Sequence, residues 1–121
     1  MSTPDTDPTS VRIDHLPATV RAFLAAHDAR EAGAALRTFA PGAVVVDDGR
    51  THRGPEQVLE FLRDAGTRFT YTSELVGAQR VDDAHWVTSH HLVGDFPGGT
   101  ADLRYRFALE DDLITELVIA P

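Results

Sequence analysis

Apolar and polar positions fall into two regimes along the chain, a helical period in the first half and a strand-like alternation in the second. Leu16, Val20, Phe23, Leu24 and His27 recur at i, i+4, i+7, i+8 and i+11, one stripe of a helix expected over Leu16–Arg30. Asp14 stands where it can cap that helix, and Pro17 sits in its first turn, where a missing N–H costs little. A short second helix, Ala34–Phe39, is expected to turn Leu36 and Phe39 inward, with Pro41-Gly42 ending it. Gly54-Pro55 opens a third helix over Glu56–Ala65, whose buried side carries Val58, Leu59, Phe61 and Leu62, and Gly66 closes it.

The remaining segments read as strands. Ala43–Asp47 is short and β-branched, Asp48-Gly49 is a hairpin turn, and Thr51–Arg53 is its return strand. Four longer strands follow, Phe69–Val81, Ala84–Gly94, Ala101–Glu110 and Leu113–Ala120. They are broken by turn chemistry at Asp82-Asp83, Phe96-Pro97-Gly98-Gly99 and Asp111-Asp112. Short breaks between long strands imply an antiparallel meander. The pattern predicts an α+β fold in which about three N-terminal helices pack on the concave face of a strongly curved, mostly antiparallel β-sheet. Such a half-cone leaves a hollow between sheet and helices, a natural place for a small molecule. Residues 1–11 have almost nothing to bury and read as a disordered tail, leaving 12–121 as one domain.

Composition narrows the chemistry more than the fold. The 11 positive charges are all Arg, set against 13 Asp and 6 Glu, for a formal net charge of −8. That balance argues against nucleic acid and against an anionic membrane surface as partners. With no Cys, disulfides, thiolate nucleophiles and Cys-based zinc sites are excluded. The first ten residues lack the features of a signal peptide, and no apolar run approaches the ~18 residues that span a bilayer, so a soluble cytoplasmic protein is expected. His90 and His91 point to opposite faces of a strand, while His85 and His91 share a face but stand about 20 Å apart, so no metal site is expected. Nor is a cofactor expected, since Phe96-Pro97-Gly98-Gly99 joins two strands and is no phosphate cradle.

The stretch VRAFLAAHDAREAGAAL at 20–36, the FAPGAVVVDDGRTHRGPEQVLEFL that follows, and the later HHLVGDFPGG and RYRFALEDDLITELVI resemble the nuclear transport factor 2-like superfamily. The resemblance is to its SnoaL-like (polyketide-cyclase-like) and ketosteroid-isomerase-like branches, and it runs from about Asp14 to the last strand. It implies a cone-shaped α+β fold, frequent dimers and a pocket reused by isomerases, cyclases, epoxide hydrolases, dehydratases and plain binding proteins. Fold alone does not choose among these. In the ketosteroid-isomerase-like branch the base is a carboxylate ending the first strand, which Asp47 matches. The tyrosine donor of that branch falls on Phe23, and its second, acidic donor on Leu103 or Tyr105. The pair that would stabilise a dienolate is therefore missing, which disfavours steroid isomerisation. The histidine of the SnoaL-like cyclases falls on Leu92 and their aspartate near Tyr105, so aldol-type cyclisation finds no support there.

Period-2 alternation then groups the candidate wall. Asp47 shares a face with Ala43 and Val45; Trp86, Thr88, His90 and Leu92 share a second; Leu103, Tyr105 and Phe107 a third. With Phe23 and His27 from the first helix, these residues make an aromatic, mostly apolar wall suited to a small apolar or aromatic molecule. The expected catalytic set is Asp47 as base, His90 as an acid or orienter titrating near neutrality, and Tyr105 as hydrogen-bond donor. An isomerase, dehydratase, cyclase or hydrolase acting by proton transfer would use such a set. His90 also reads as a core histidine satisfied by a neighbouring hydroxyl or carbonyl, and a non-catalytic binding protein or dimeric accessory module stays open. His52 could orient Asp47 or simply be a solvated loop residue. Arg104, Arg106, Glu116, Thr72 and Glu74 alternate to the outer face, where the resemblance implies a homodimer through the convex side of the sheet.

Overall fold

Two-residue turns with left-handed backbone set the registers of the sheet. Asp48 (φ 52°) and Gly49 (φ 74°) join β2, Phe39–Asp47, to β3, Arg50–Arg53, with Asp47 opposite Arg50. Asp111 (φ 53°) and Asp112 (φ 62°) join β6, Thr100–Glu110, to β7, Leu113–Ala120, with Glu110 opposite Leu113. Positive φ at both central residues gives the twist that hairpin strands need, and Asp and Gly tolerate it best. The remaining elements of the computed structural model, which describes residues 9–67 and 70–121, are β1 (Thr9–Ser10), a 3₁₀ turn at Ile13–His15, α1 (Ala18–Asp28), α2 (Ala32–Leu36), α3 (Gly54–Thr67), β4 (Tyr71–Arg80) and β5 (His85–Gly94).

The seven strands form one sheet in the order β1-β4-β5-β6-β7-β2-β3. All neighbours are antiparallel except β2 and β7, which run parallel with Val45 opposite Leu117. Register shifts at Leu75/Gly77 in β4, Ala108/Leu109 between β6 and β7, and Phe39/Val44 in β2 bend the sheet. The helices lie against its concave face, giving the expected α+β cone. At their junction Phe23, fully buried, meets Phe39 (5.5 Å between ring centroids) and Phe107 (5.6 Å) edge to face. Val20, Val45, Val58, Ile114 and Leu117 complete the centre of the core.

Several expectations are corrected. Phe39 opens a strand rather than ending a helix, and Pro41-Gly42 falls inside β2, where the register shift leaves the proline without a ladder bond to donate. Asp14 does not cap α1: it pairs with exposed Arg12, and α1 starts after Pro17 without a side-chain cap. The first helix ends at Asp28, two residues early, in a Schellman-type turn in which Arg30 N–H donates to His27 O and Glu31 N–H to Ala26 O. Arg30 occupies the left-handed position (φ 58°) that glycine usually takes. Gly66 does not close α3, which continues to Thr67. Residues 9–11 of the expected disordered tail belong to the fold instead, because Thr9 and Ser10 pair with Arg80 and Gln79 of β4 and Val11 N–H donates to Ala78 O. Residues 1–8 of that tail and Phe69 of the expected third strand lie outside the described residues.

The start of β4 is held in place tightly. A methyl group added at Gly94 would lie 2.5 Å from Tyr71 Cβ and 2.6 Å from Thr70 O, so backbone would have to move. Gly94→Ala is expected to lower stability by about 1–3 kcal/mol. Urea unfolding of the two proteins checks this, and equal midpoints would contradict the close approach.

Candidate functional site

The functional side chains are set by the same alternation that builds the core. On β2, Ala43 and Val45 are buried beneath the helices, so Asp47, two residues further on, reaches the rim of the concave side and stays half-exposed. On β5 the even positions turn inward: Thr88, His90 and Leu92 are buried, while His91 pairs with Asp102 (2.7 Å) on the outside. On β6 Tyr105 and Phe107 face inward, between outward Arg104 and Arg106. The apolar stripe of α1 runs out at His27, whose ring stacks on Phe23 at 5.3 Å and meets Tyr105 at 6.3 Å.

Two adjoining cavities share His27, Tyr71 and Tyr105 in their walls. The smaller, about 190 Å³, lies on the helix side between Leu24, Ala25 and Asp28 of α1, Ser73 and Leu75 of β4, and His90. The larger, about 700 Å³, lies on the hairpin side. Asp47, Asp48, Arg50 and Asp64 give it a charged rim beside His52, and Phe61, Leu92, Phe96, Leu103 and Ile119 give it an apolar lining.

Six of the ten sequence candidates therefore come together around this cleft: Asp47, His90, Tyr105, His27, Leu92 and Leu103. Four do not reach it. Phe23, Thr88 and Phe107 are at most 1% exposed and sit behind the wall, where they support it without access to a ligand. Trp86 lies at the far end of β5, where its indole N–H donates to Asp83 O. His52 packs on Phe61 (5.1 Å between rings).

The electrostatics change one role. His90 is 6% exposed and its Nε2 is bonded to the Thr88 hydroxyl at 2.7 Å. Burial, and then the neighbouring His27, push its pKa down to about 4. His90 is thus neutral at physiological pH and does not titrate near neutrality as the sequence suggested. The Thr88 hydroxyl satisfies it as a core histidine would be satisfied. Burial also lowers His27. Tyr105 moves the opposite way: burial raises its phenol, with Tyr71 and the carboxylates of Asp47 and Asp28 adding to the effect, so it remains protonated. Among the described residues no hydrogen bond engages the Tyr105 hydroxyl, and none of their buried side-chain nitrogen or oxygen atoms is unpartnered, so this hydroxyl opens to the cleft.

Histidine burial has a pH signature. Between about 6.5 and about 4 the unfolded chain takes up a proton at His90 and the folded chain does not, so stability is full above that window and declines as pH falls through it. The urea midpoint should be lower at about pH 4.5 than at about pH 7, and His90→Gln should narrow the gap. An unchanged gap would refute the assignment.

Sequence reasoning missed Tyr71 and Asp28. Tyr71 borders both cavities, and the Arg30 side chain fixes it by donating to Tyr71 O (3.2 Å) and lying over the ring at 5.3 Å. The signal was present in the alternation Tyr71-Ser73-Leu75, which shares its face with His90. Among the described residues no cluster of three His, Asp or Glu side chains could hold a metal ion. No helix of the described residues is long and apolar enough to cross a membrane.

No protein-family model and no curated protein sequence matches the chain. Solved structures do. A "putative polyketide cyclase" from Sinorhizobium meliloti is 30% identical and superposes with a TM-score of 0.83, covering 91% of this chain and 100% of that one. The chain belongs to the SnoaL-like, nuclear transport factor 2-like superfamily. A protein of ketosteroid isomerase-like fold from Catenulispora acidiphila, in complex with trimethylamine, shares that fold at 20% identity (TM-score 0.75, 87% of this chain and 85% of that one). A computationally designed 17-OHP binder does so at 15% identity (TM-score 0.69, 85% and 88%). Within this SnoaL-like frame, the two-cavity cleft lies where the cone opens between helices and sheet.

Proposed function

We propose that the protein holds a small apolar or aromatic molecule in the concave cleft and moves a proton on it without a cofactor. Asp47 acts as the base and Tyr105 as the hydrogen-bond donor. One observation carries this reading: a carboxylate and a permanently protonated, unengaged phenol border the same cavity of about 700 Å³. Asp47 takes a proton from a carbon beside a polar group of the ligand, the Tyr105 O–H donates to the oxygen on which charge develops, and the proton returns at a second position. That sequence suits an isomerase; in a dehydratase the proton taken by Asp47 is instead given to the departing hydroxyl, which leaves as water while the double bond forms. His90, neutral and tied to Thr88, orients the Tyr105 ring at 4.4 Å and is not the acid.

A second reading, binding without turnover, is favoured by Phe23, Leu92 and Leu103, which stand where the family's catalytic branches carry polar groups. Asp47→Asn separates the two readings. In an enzyme it abolishes turnover and keeps the ligand, whereas a binder has no turnover to lose. A homodimer through the convex face is part of the proposal, motivated by Arg104, Arg106 and Glu116 on that face. Sedimentation showing only a 13.2 kDa species at high concentration would remove it.

A further inference from the structure

Tyr105 and His90 are each 6% exposed and both border the helix-side cavity, with rings 4.4 Å apart. Thr88, itself fully buried, occupies one ring nitrogen of His90, so the other is the atom left for a ligand. None of the described residues engages the Tyr105 hydroxyl or this second nitrogen, and neither is a sealed-off polar atom, so both are open on the cavity side to a ligand that can hydrogen-bond them. Their surroundings define what that can be. Leu24 and Leu75 make the flanks apolar. The one formally charged side chain among the described lining is the carboxylate of Asp28, and no arginine borders this cavity. An anion placed here would be stripped of water, would face Asp28 and would find no cation.

Resting on the proposal that the cleft holds a small molecule, we infer that the helix-side cavity is a subsite for one uncharged oxygen of the ligand, a ketone or aldehyde carbonyl or an alcohol hydroxyl, held by Tyr105 and His90, and that it rejects carboxylates. The Tyr105 hydroxyl donates to the oxygen. The free nitrogen of His90 supplies a second hydrogen bond, as donor to a carbonyl or acceptor from a hydroxyl. Thr88 is a positioning residue that fixes the imidazole plane. At about 190 Å³ the cavity has the room of roughly six waters, enough for one six-membered ring.

The test is a matched set of probes of one shape, cyclohexanone, cyclohexanol, methylenecyclohexane and cyclohexanecarboxylate, titrated into the ¹⁵N-labelled protein and followed by amide shifts. Cyclohexanone and cyclohexanol should bind about ten-fold more tightly than the hydrocarbon and the carboxylate, with shifts at Leu24, Leu75 and His90. Tyr105→Phe should erase the preference for oxygen while keeping hydrocarbon binding, and Thr88→Val should weaken the preference. Carboxylate binding as tight as that of the ketone would overturn the inference, as would equal affinity for ketone and hydrocarbon, and in either case the cleft would still be a small-molecule site. If no probe shifts any cleft residue, the small-molecule reading falls and this inference with it. The wild-type comparison needs no variant to fold.

Discussion

Asp47→Asn is expected to reduce turnover of whatever substrate the cleft processes by roughly 10²–10⁴-fold, the range that a positioned general base contributes. The amide keeps the size and shape of the carboxylate but cannot accept a proton at neutral pH. Because Asp47 is half-exposed at the end of β2, the cost to folding should be small, and ligand affinity should stay within about threefold. Turnover and affinity must therefore be measured on the same preparation. A variant that keeps full turnover would remove Asp47 from the chemistry, and a loss of affinity matching the loss of rate would make it a binding residue instead.

Phe23→Ala should be the most damaging single change to the fold, costing about 3–5 kcal/mol. Its ring is fully buried and touches the rings of Phe39 from β2, Phe107 from β6 and His27 from its own helix. For a chain of 121 residues such a loss approaches a large part of the total stability. Denaturant unfolding checks it, with Phe61→Ala on α3 as a less central comparison. A loss below about 1 kcal/mol would show that Phe23 is not the centre of the core.

The meander was legible because its turns carry their own chemistry: Asp48-Gly49 and Asp111-Asp112 are residue types that tolerate the left-handed backbone of a two-residue hairpin turn. The helical stripe ending at His27 was legible for the same local reason. Phe39 was not, because Ala34–Phe39 reads as helix until Phe39 pairs with Ile114, some 75 residues away, and no local signal encodes that partner. The end of α1 was misplaced because Arg30 takes the position where glycine would have marked the stop. In the site, alternation gave the face of Asp47, of His90 and of Tyr105 on each separate strand, and those faces border the cleft, since period 2 survives curvature. Depth was not readable. Thr88 and His90 share a face, yet only His90 meets the cavity, and the depth that drives its pKa down comes from the helices packed above it.

The parallel pairing of β2 with β7 has a consequence for how the molecule is made. On the ribosome, the β2–β3 hairpin emerges long before the strand that links it to β6, so the two flanks of the sheet stay separate until β7 leaves the exit tunnel. Until then the rim bearing Asp47 has no neighbour on that edge. Nascent chains stalled ahead of Leu113 should accordingly be sensitive to protease, and a chaperone that shields exposed strand edges would act in that interval.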